Sequence, residues 1–160
     1  MEKNVIPSIS ENEIQEGLSQ AKSSPRRRHP KILHKQGAEF NEVFNFNMHD
    51  TYMQPHLHPG PEKIEEIHVV KGKIAVLYFN DKGEVTEVHM LEKGKKEMVR
   101  VPAFTWHTYV MLTDSTVSYE TMMGKYDPKT WKEFANWAPL ESSSESAGYL
   151  EKLKQIAKSY

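Results

Sequence analysis

Between about residues 39 and 123 apolar and polar side chains alternate with a period of two, and turn-forming residues interrupt the alternation at short intervals. A strand shows successive side chains to opposite faces, so this stretch is committed to half-buried strands. Candidate strands are 39–47, 51–58, 65–71, 73–80, 84–91, 96–101, 105–112 and 115–123. The breaks carry turn chemistry: Asn80-Asp81-Lys82-Gly83 reads as a hairpin loop in which Gly83 takes φ > 0, and Glu92-Lys93-Gly94 and Thr113-Asp114 are also turn-like. Many short strands at this spacing argue for a mainly all-β sandwich or closed jelly roll rather than an α/β fold.

Helical patterns flank this region. Ser10 and Glu13 have capping-box spacing, and Ile14, Leu18 and Ala21 then fall on one face, so 10–22 is expected to be a helix ended by Ser23-Ser24-Pro25. The basic run Arg26-Arg27-Arg28-His29 follows, either a solvated charge cluster before a strand or a lip that attracts an anion. Asp127-Pro128 reads as an N-cap and first position of a short helix, with Trp131, Phe134 and Ala135 on its apolar face. Ser142-Ser143-Ser144-Glu145-Ser146 is a polar linker, and 147–158 is a last amphipathic helix through Tyr149, Leu150, Leu153, Ile156 and Ala157. The expected organisation is an N-terminal helix and basic arm (1–38), a barrel (39–126) and a helical tail (127–160).

Composition removes several functions. With 21 basic and 22 acidic side chains the formal net charge is −1, so nucleic-acid binding is not expected. The absence of cysteine excludes disulfides, thiolate ligands and a cysteine nucleophile, and suits a reducing cytoplasm. The opening residues lead into no apolar stretch of the signal-peptide kind, and no apolar run is long enough for a membrane span.

Histidine and glutamate then form a pattern. His56 and His58 project to one face of their strand, with Leu57 opposite. On the next strand Glu65 shares a face with Ile67 and Val69, while Glu66 and His68 share the other, so a ligand role for Glu65 excludes His68. His107 lies with Thr105, Tyr109 and Met111. His68 and His89 read as outer-face strand residues. His29, His34 and His49 sit in turns or at strand edges, His34 the best placed of them to reach a site. The cluster His56, His58, Glu65 and His107 is expected to bind one divalent metal; the alternative is a hydrogen-bonded polar patch without one.

These residues resemble the cupin superfamily. Its first motif has a His-x-His pair and a glutamate separated by six residues from a glycine, as in His56-x-His58 and Glu65-x6-Gly72. Its second usually reads Pro-x-Gly-x-x-His; Pro102…His107 matches with Phe104 in the glycine position, and Met111 stands where the motif has asparagine. The closer resemblance, over roughly residues 10 to 141, is to the WbuC-type cupin metalloproteins. It rests on Ser24-Pro25-Arg26-x-Arg28 with His34, Pro55-His56-x-His58-Pro59-x-Pro61-x-Lys63-x-Glu65, Pro102…Trp106-His107-Thr108, and Glu120. Downstream it continues through Gly124-x-Tyr126-Asp127-Pro128 and Lys132-Glu133-Phe134-Ala135-x-Trp137-Ala138-Pro139. The long loop from His58 to Glu65 is a feature of that family, whereas Leu57 replaces its usual basic residue. The resemblance implies a double-stranded β-helix, a bound metal and a setting in surface-polysaccharide assembly.

Three imidazoles and a carboxylate suit Zn, Fe, Mn, Co or Ni. Such a metal serves as a Lewis acid in sugar isomerisation or epimerisation, as Fe(II) in dioxygenation, or as a structural element of a binding module. Glu120, Tyr126 and Tyr52 are the candidate acid/base residues. Arg26, Arg28, His34, Lys63, Trp106 and Tyr109 are the candidate contacts to a small, anionic or sugar substrate. A homodimer is expected, since cupins often pair through edge strands.

Overall fold

The computed structural model describes residues 6–160; residues 1–5, which open the expected N-terminal region and the stretch read for a signal peptide, lie outside the described residues. In chain order the elements are α1 (Glu11–Ser23), β1 (Arg28–Ile32), β2 (Phe40–Met48), β3 (His56–Leu57), β4 (Glu65–Lys71), β5 (Lys73–Phe79) and β6 (Val85–Glu92). Then come β7 (Met98–Val101), β8 (Trp106–Met111), β9 (Ser115–Met123), β10 (Glu133–Phe134) and α2 (Ser146–Lys158). Two five-stranded sheets face each other, ordered β1-β2-β9-β4-β7 and β10-β3-β8-β5-β6, with every pairing antiparallel. This is the cupin jelly roll with a helix before and after the barrel.

Strand parity sorts the core into three layers. Ile74, Val76 and Tyr78 of β5 point between the sheets, where they meet Ile67, Val69, Val99, Val101, Tyr109 and Met111. Ala75, Leu77 and Phe79 point the other way and pack under Leu150, Leu153 and Ala157 of α2. On the first sheet Phe44, Phe46, Val117 and Tyr119 pack under Ile14, Leu18 and Ala21 of α1. The capping box that starts α1 forms as expected: Glu13 N–H donates to Ser10 Oγ at 3.1 Å, and Ser10 N–H to Glu13 Oε2 at 2.8 Å. Between β4 and β5 the chain reverses at Gly72, at φ +82; a Cβ there would stand 2.6 Å from the Ser115 carbonyl oxygen, so only glycine closes this turn.

Two expectations need correction. The strand expected over 51–58 shortens to His56–Leu57. Pro55 has no N–H to give a ladder, and side chains take the carbonyls instead: Arg28 donates to Tyr52 O, Thr108 Oγ1 to Met53 O. In the basic arm, Arg28 to Ile32 pairs with Asn47 to Val43 as an edge strand. The helix expected from Asp127 does not form. Asp127 caps a single turn, accepting from Lys129 N–H on its side chain and from Thr130 and Trp131 N–H on its carbonyl. Outside partners then capture the next carbonyls: Lys63 Nζ donates to Thr130 O and His58 Nδ1 meets Trp131 O. The chain straightens into β10 beside β3, so Ala135 is buried while Phe134 is exposed. Among the described residues no helix is long and apolar enough to cross a membrane.

Candidate metal centre

The ligand atoms of His56, His58, Glu65 and His107 lie within 4.8 Å of one another at one end of the space between the sheets. His56 on β3 is directly opposite His107 on β8, and Glu65 comes from the facing sheet. All four side chains are buried, between 1% and 9% exposed.

Hydrogen-bond chemistry tests whether this set fits a cation. His58 Nδ1 is 2.8 Å from Trp131 O and its Nε2 is 3.1 Å from Glu65 Oε2. His107 Nδ1 is 2.8 Å from Thr105 O and its Nε2 is 2.9 Å from the same Oε2. Every partner is an acceptor, yet a neutral imidazole has one N–H. If the rings alone satisfied these contacts, two buried imidazoliums would crowd one carboxylate. A cation among them resolves this: each Nδ1–H donates to its carbonyl and each bare Nε2 faces the ion, the arrangement in which a carbonyl fixes a ligand's tautomer. His56 follows the pattern, its Nδ1 2.9 Å from Gln54 O.

Charges around the cluster are strongly perturbed. Burial, then the positive charge of Lys132 and the other two rings, hold His56 well below the ordinary histidine range. Burial pushes Glu65 up, but the neighbouring His107 and His58 overcome it and hold the carboxyl well below its ordinary value. Glu120 goes the other way: burial, then the charge and hydrogen bonding of Glu65, push it up to about 8. Its Oε2 accepts from Tyr109 Oη at 3.0 Å, from Ser118 Oγ at 2.8 Å and from Asn45 Nδ2. Three donors grip one oxygen and fix the carboxyl beside Glu65. Burial and Glu120 push Tyr109 well above the ordinary tyrosine range, so it stays a donor.

Glu120 and Tyr109 therefore join the four ligands, and the other expected site residues serve elsewhere. Tyr52 leaves the site: its Oη donates to Pro139 O at 2.7 Å and its ring meets Tyr149 edge-on. Trp106 is turned outward by the parity that turns His107 inward, and packs beside α2. Arg26 and Arg28 both grip Glu141, at 3.2 and 2.6 Å, rather than forming an open anion lip. His34 Nδ1 accepts from Glu42 N–H at 3.0 Å. Lys63 is buried, with its amine on Thr130 O and 5.3 Å from the centre of the Trp131 ring. Tyr126 is 57% exposed and its ring meets Trp131, which stands edge-on to His58 at 6.2 Å.

Other residues at the centre were not singled out from sequence. Asn45 and Ser118 share the inward parity of their strands with Glu120, a signal that could have found them. Lys132 keeps solvent contact in the segment over the site. Protein crowding its amine, with Arg28 and Arg26, lowers its pKa against the pull of Glu65 and Glu120. Phe104, in the motif's glycine position, adopts φ 59 and donates its N–H to His58 O at 3.1 Å. That left-handed conformation costs about 1–2 kcal/mol in a non-glycine residue, so the turn keeps the motif's shape without its residue.

A family profile described as "Domain of unknown function (DUF6016)" matches residues 9–91. No curated protein matches the chain in sequence. Among solved structures it is similar to the capsular polysaccharide assembling protein CapF from Staphylococcus aureus, with 19% identity and a TM-score of 0.60 over 69% of this chain; the match spans 32% of CapF. An oxalate oxidase bound to the substrate analogue glycolate matches 86% of this chain and 76% of its own, with 15% identity and a TM-score of 0.55. Protein SO0799 from Shewanella oneidensis matches 81% and 83%, with 10% identity and a TM-score of 0.55. At these identities the likeness is one of fold.

Proposed function

The chain belongs to the family described as a domain of unknown function (DUF6016), and from that premise we propose that it is a metal-dependent cupin of the WbuC type acting on a carbohydrate or nucleotide sugar. The observation that carries the metal is the pair of imidazoles whose two nitrogens both face acceptor oxygens. The carbohydrate part is supported by the WbuC-like motif residues and accords with one fold neighbour being a capsular polysaccharide assembling protein.

A divalent metal on His56, His58, Glu65 and His107 would supply Lewis-acid polarisation of a carbonyl or hydroxyl. The chain supplies the proton chemistry. Glu120 is held beside Glu65 with its pKa pushed up to about 8, the placement and protonation an isomerase or epimerase needs of its acid/base group. Tyr109, Ser118 and Asn45 fix that carboxyl by gripping Oε2. Lys132 brings positive charge to the rim, suited to the phosphates of a nucleotide sugar. On the other side of the cluster Trp131 stands edge-on to His58 and Lys132 faces His56.

A panel of nucleotide sugars and free sugars, assayed with metal-loaded and chelator-treated protein, tests this reading. We expect turnover of at least one member that chelation abolishes, and a fall of about 10²–10⁴-fold in Glu120→Gln with metal content unchanged. Absence of metal-dependent turnover across the panel, or an unimpaired Glu120→Gln, would contradict it.

A further inference from the structure

The two faces of β8 lead to different chemistry. His107 faces the metal cluster; Trp106, its neighbour, lines a pocket on the outside of the barrel. Asp81, Trp106, Glu133, Phe134, Asn136 and Trp137 surround a volume of about 140 Å³. The walls are preorganised. The Trp106 and Trp137 rings stand 6.1 Å apart at 76°. Trp137 is also packed on Phe79 at 5.1 Å, and Gly83 lies so close beneath it that a Cβ there would be 2.5 Å from the indole. Trp106 Nε1 donates to Asp81 Oδ1 at 3.0 Å, which fixes both the indole and the carboxylate.

The composition of this wall is selective. It contains three aromatic rings and two carboxylates, and no lysine, arginine or histidine. Among the described residues neither Asp81 nor Glu133 takes part in an ion pair. An anion is repelled here. A neutral apolar group would strip water from the carboxylates without replacing it. A flat sugar ring stacks on one indole and makes little use of a second set almost at right angles. A compact cation meets both kinds of wall, since aromatic faces and carboxylates both attract positive charge. The volume suits a group the size of a methylated ammonium.

We propose that this corner between Trp106, Trp137 and Phe134, closed by Asp81 and Glu133, is a second ligand site, separate from the metal centre, that binds a small alkylammonium group. It does not depend on the carbohydrate reading of the metal centre.

Choline chloride is the probe, titrated into the full-length protein while the indole N–H resonances of the three tryptophans are followed by NMR, with sodium chloride holding ionic strength. We expect saturable shifts at Trp106 and Trp137 but not at Trp131, with a dissociation constant on the order of 1 mM. The neutral isostere 3,3-dimethylbutan-1-ol should bind at least about 10-fold more weakly, because it lacks the charge that the rings and carboxylates recognise. In the double variant Asp81→Asn, Glu133→Gln, choline binding should weaken about 10-fold; the amide oxygen of the first substitution can still accept from Trp106, so the indole keeps its place. No saturable shift up to about 50 mM choline would overturn the proposal, since an affinity weaker than that falls below a specific cation site. Equal binding of the neutral isostere, or tighter binding of methyl glucoside than of choline, would overturn it as well.

Discussion

The ligand cluster is enclosed from two sides that are built differently. On one side the barrel wall, residues 39–123, carries all four cluster residues on or at the ends of β3, β4 and β8, each of which is paired on both edges. On the other side the segment 127–141 crosses the site with only a two-residue strand. It is held by individual polar contacts: Trp131 O to His58, Thr130 O to Lys63, Ala135 N–H to Pro55 O, and Glu141 to Arg26 and Arg28. The wall has a fully buried apolar core behind it; the segment exposes Phe134 and Leu140. A wall of this kind sets geometry, whereas a segment tied by separate bonds can open at modest cost, so the difference assigns positioning to one side and access to the other.

The largest expected effect is on the wall. Leu77, fully buried between the second sheet and α2, should lose about 2–5 kcal/mol of unfolding free energy as Leu77→Ala in a denaturant titration. Phe134→Ala, in the covering segment and 51% exposed, should cost under about 1 kcal/mol in the same measurement. Equal losses would erase the contrast.

Metal affinity should divide in the same way. His107→Ala removes a ligand held by the wall and should weaken metal binding about 100-fold or more in a competition titration. Lys63→Met leaves the ligands in place but releases Thr130 O, loosening the segment whose next carbonyl orients His58; a fall of about 10-fold or less, with faster metal exchange, is expected. If Lys63→Met matches His107→Ala, the segment is as much a part of the ligand geometry as the wall.

The smallest effect concerns acid. Both sides anchor on β1, the wall's helix α1 through Glu13 to Lys31 and the covering segment through Glu141 to Arg28. Hydrogen bonds from Lys31 and Ser10 lower the Glu13 pKa from 4.5 to about 2. A depressed carboxyl stabilises the fold fully above pH 4.5 and loses that contribution as pH falls toward about 2. Glu13 is exposed, so the effect should be slight and weaker in salt. Glu13→Gln should flatten the acid side of the stability profile; an unchanged profile would show that this anchor contributes nothing.

The same contrast explains what could be read from the sequence. The strand from Ser115 to Met123 was legible to the residue because its alternation reports which side chains face α1 and which face the lumen. The four ligands were legible for the same reason, parity placing Glu65 with the histidines and His68 outside. From 127 to 139 local signals pointed to a helix, and Asp127 does cap one turn, but distant partners on Lys63, His58 and Pro55 decide the rest. Tyr52 and Trp106 were misplaced for a related reason: residue type suggested chemistry, while their direction depended on where β3 begins and which face of β8 turns outward. Lys132 lies in that tertiary-determined segment; the motif there includes it, but nothing local says that it faces the site.

The central claim is that His56, His58, Glu65 and His107 hold a metal. Elemental analysis of protein purified without added metal or chelator tests it most directly, with His107→Ala as the comparison and circular dichroism confirming that both are folded. About one divalent transition-metal ion per chain in the wild type, and only background in the variant, is the predicted result. A folded wild type that holds no metal as purified and takes up none of Zn, Mn, Fe or Ni on incubation would contradict it.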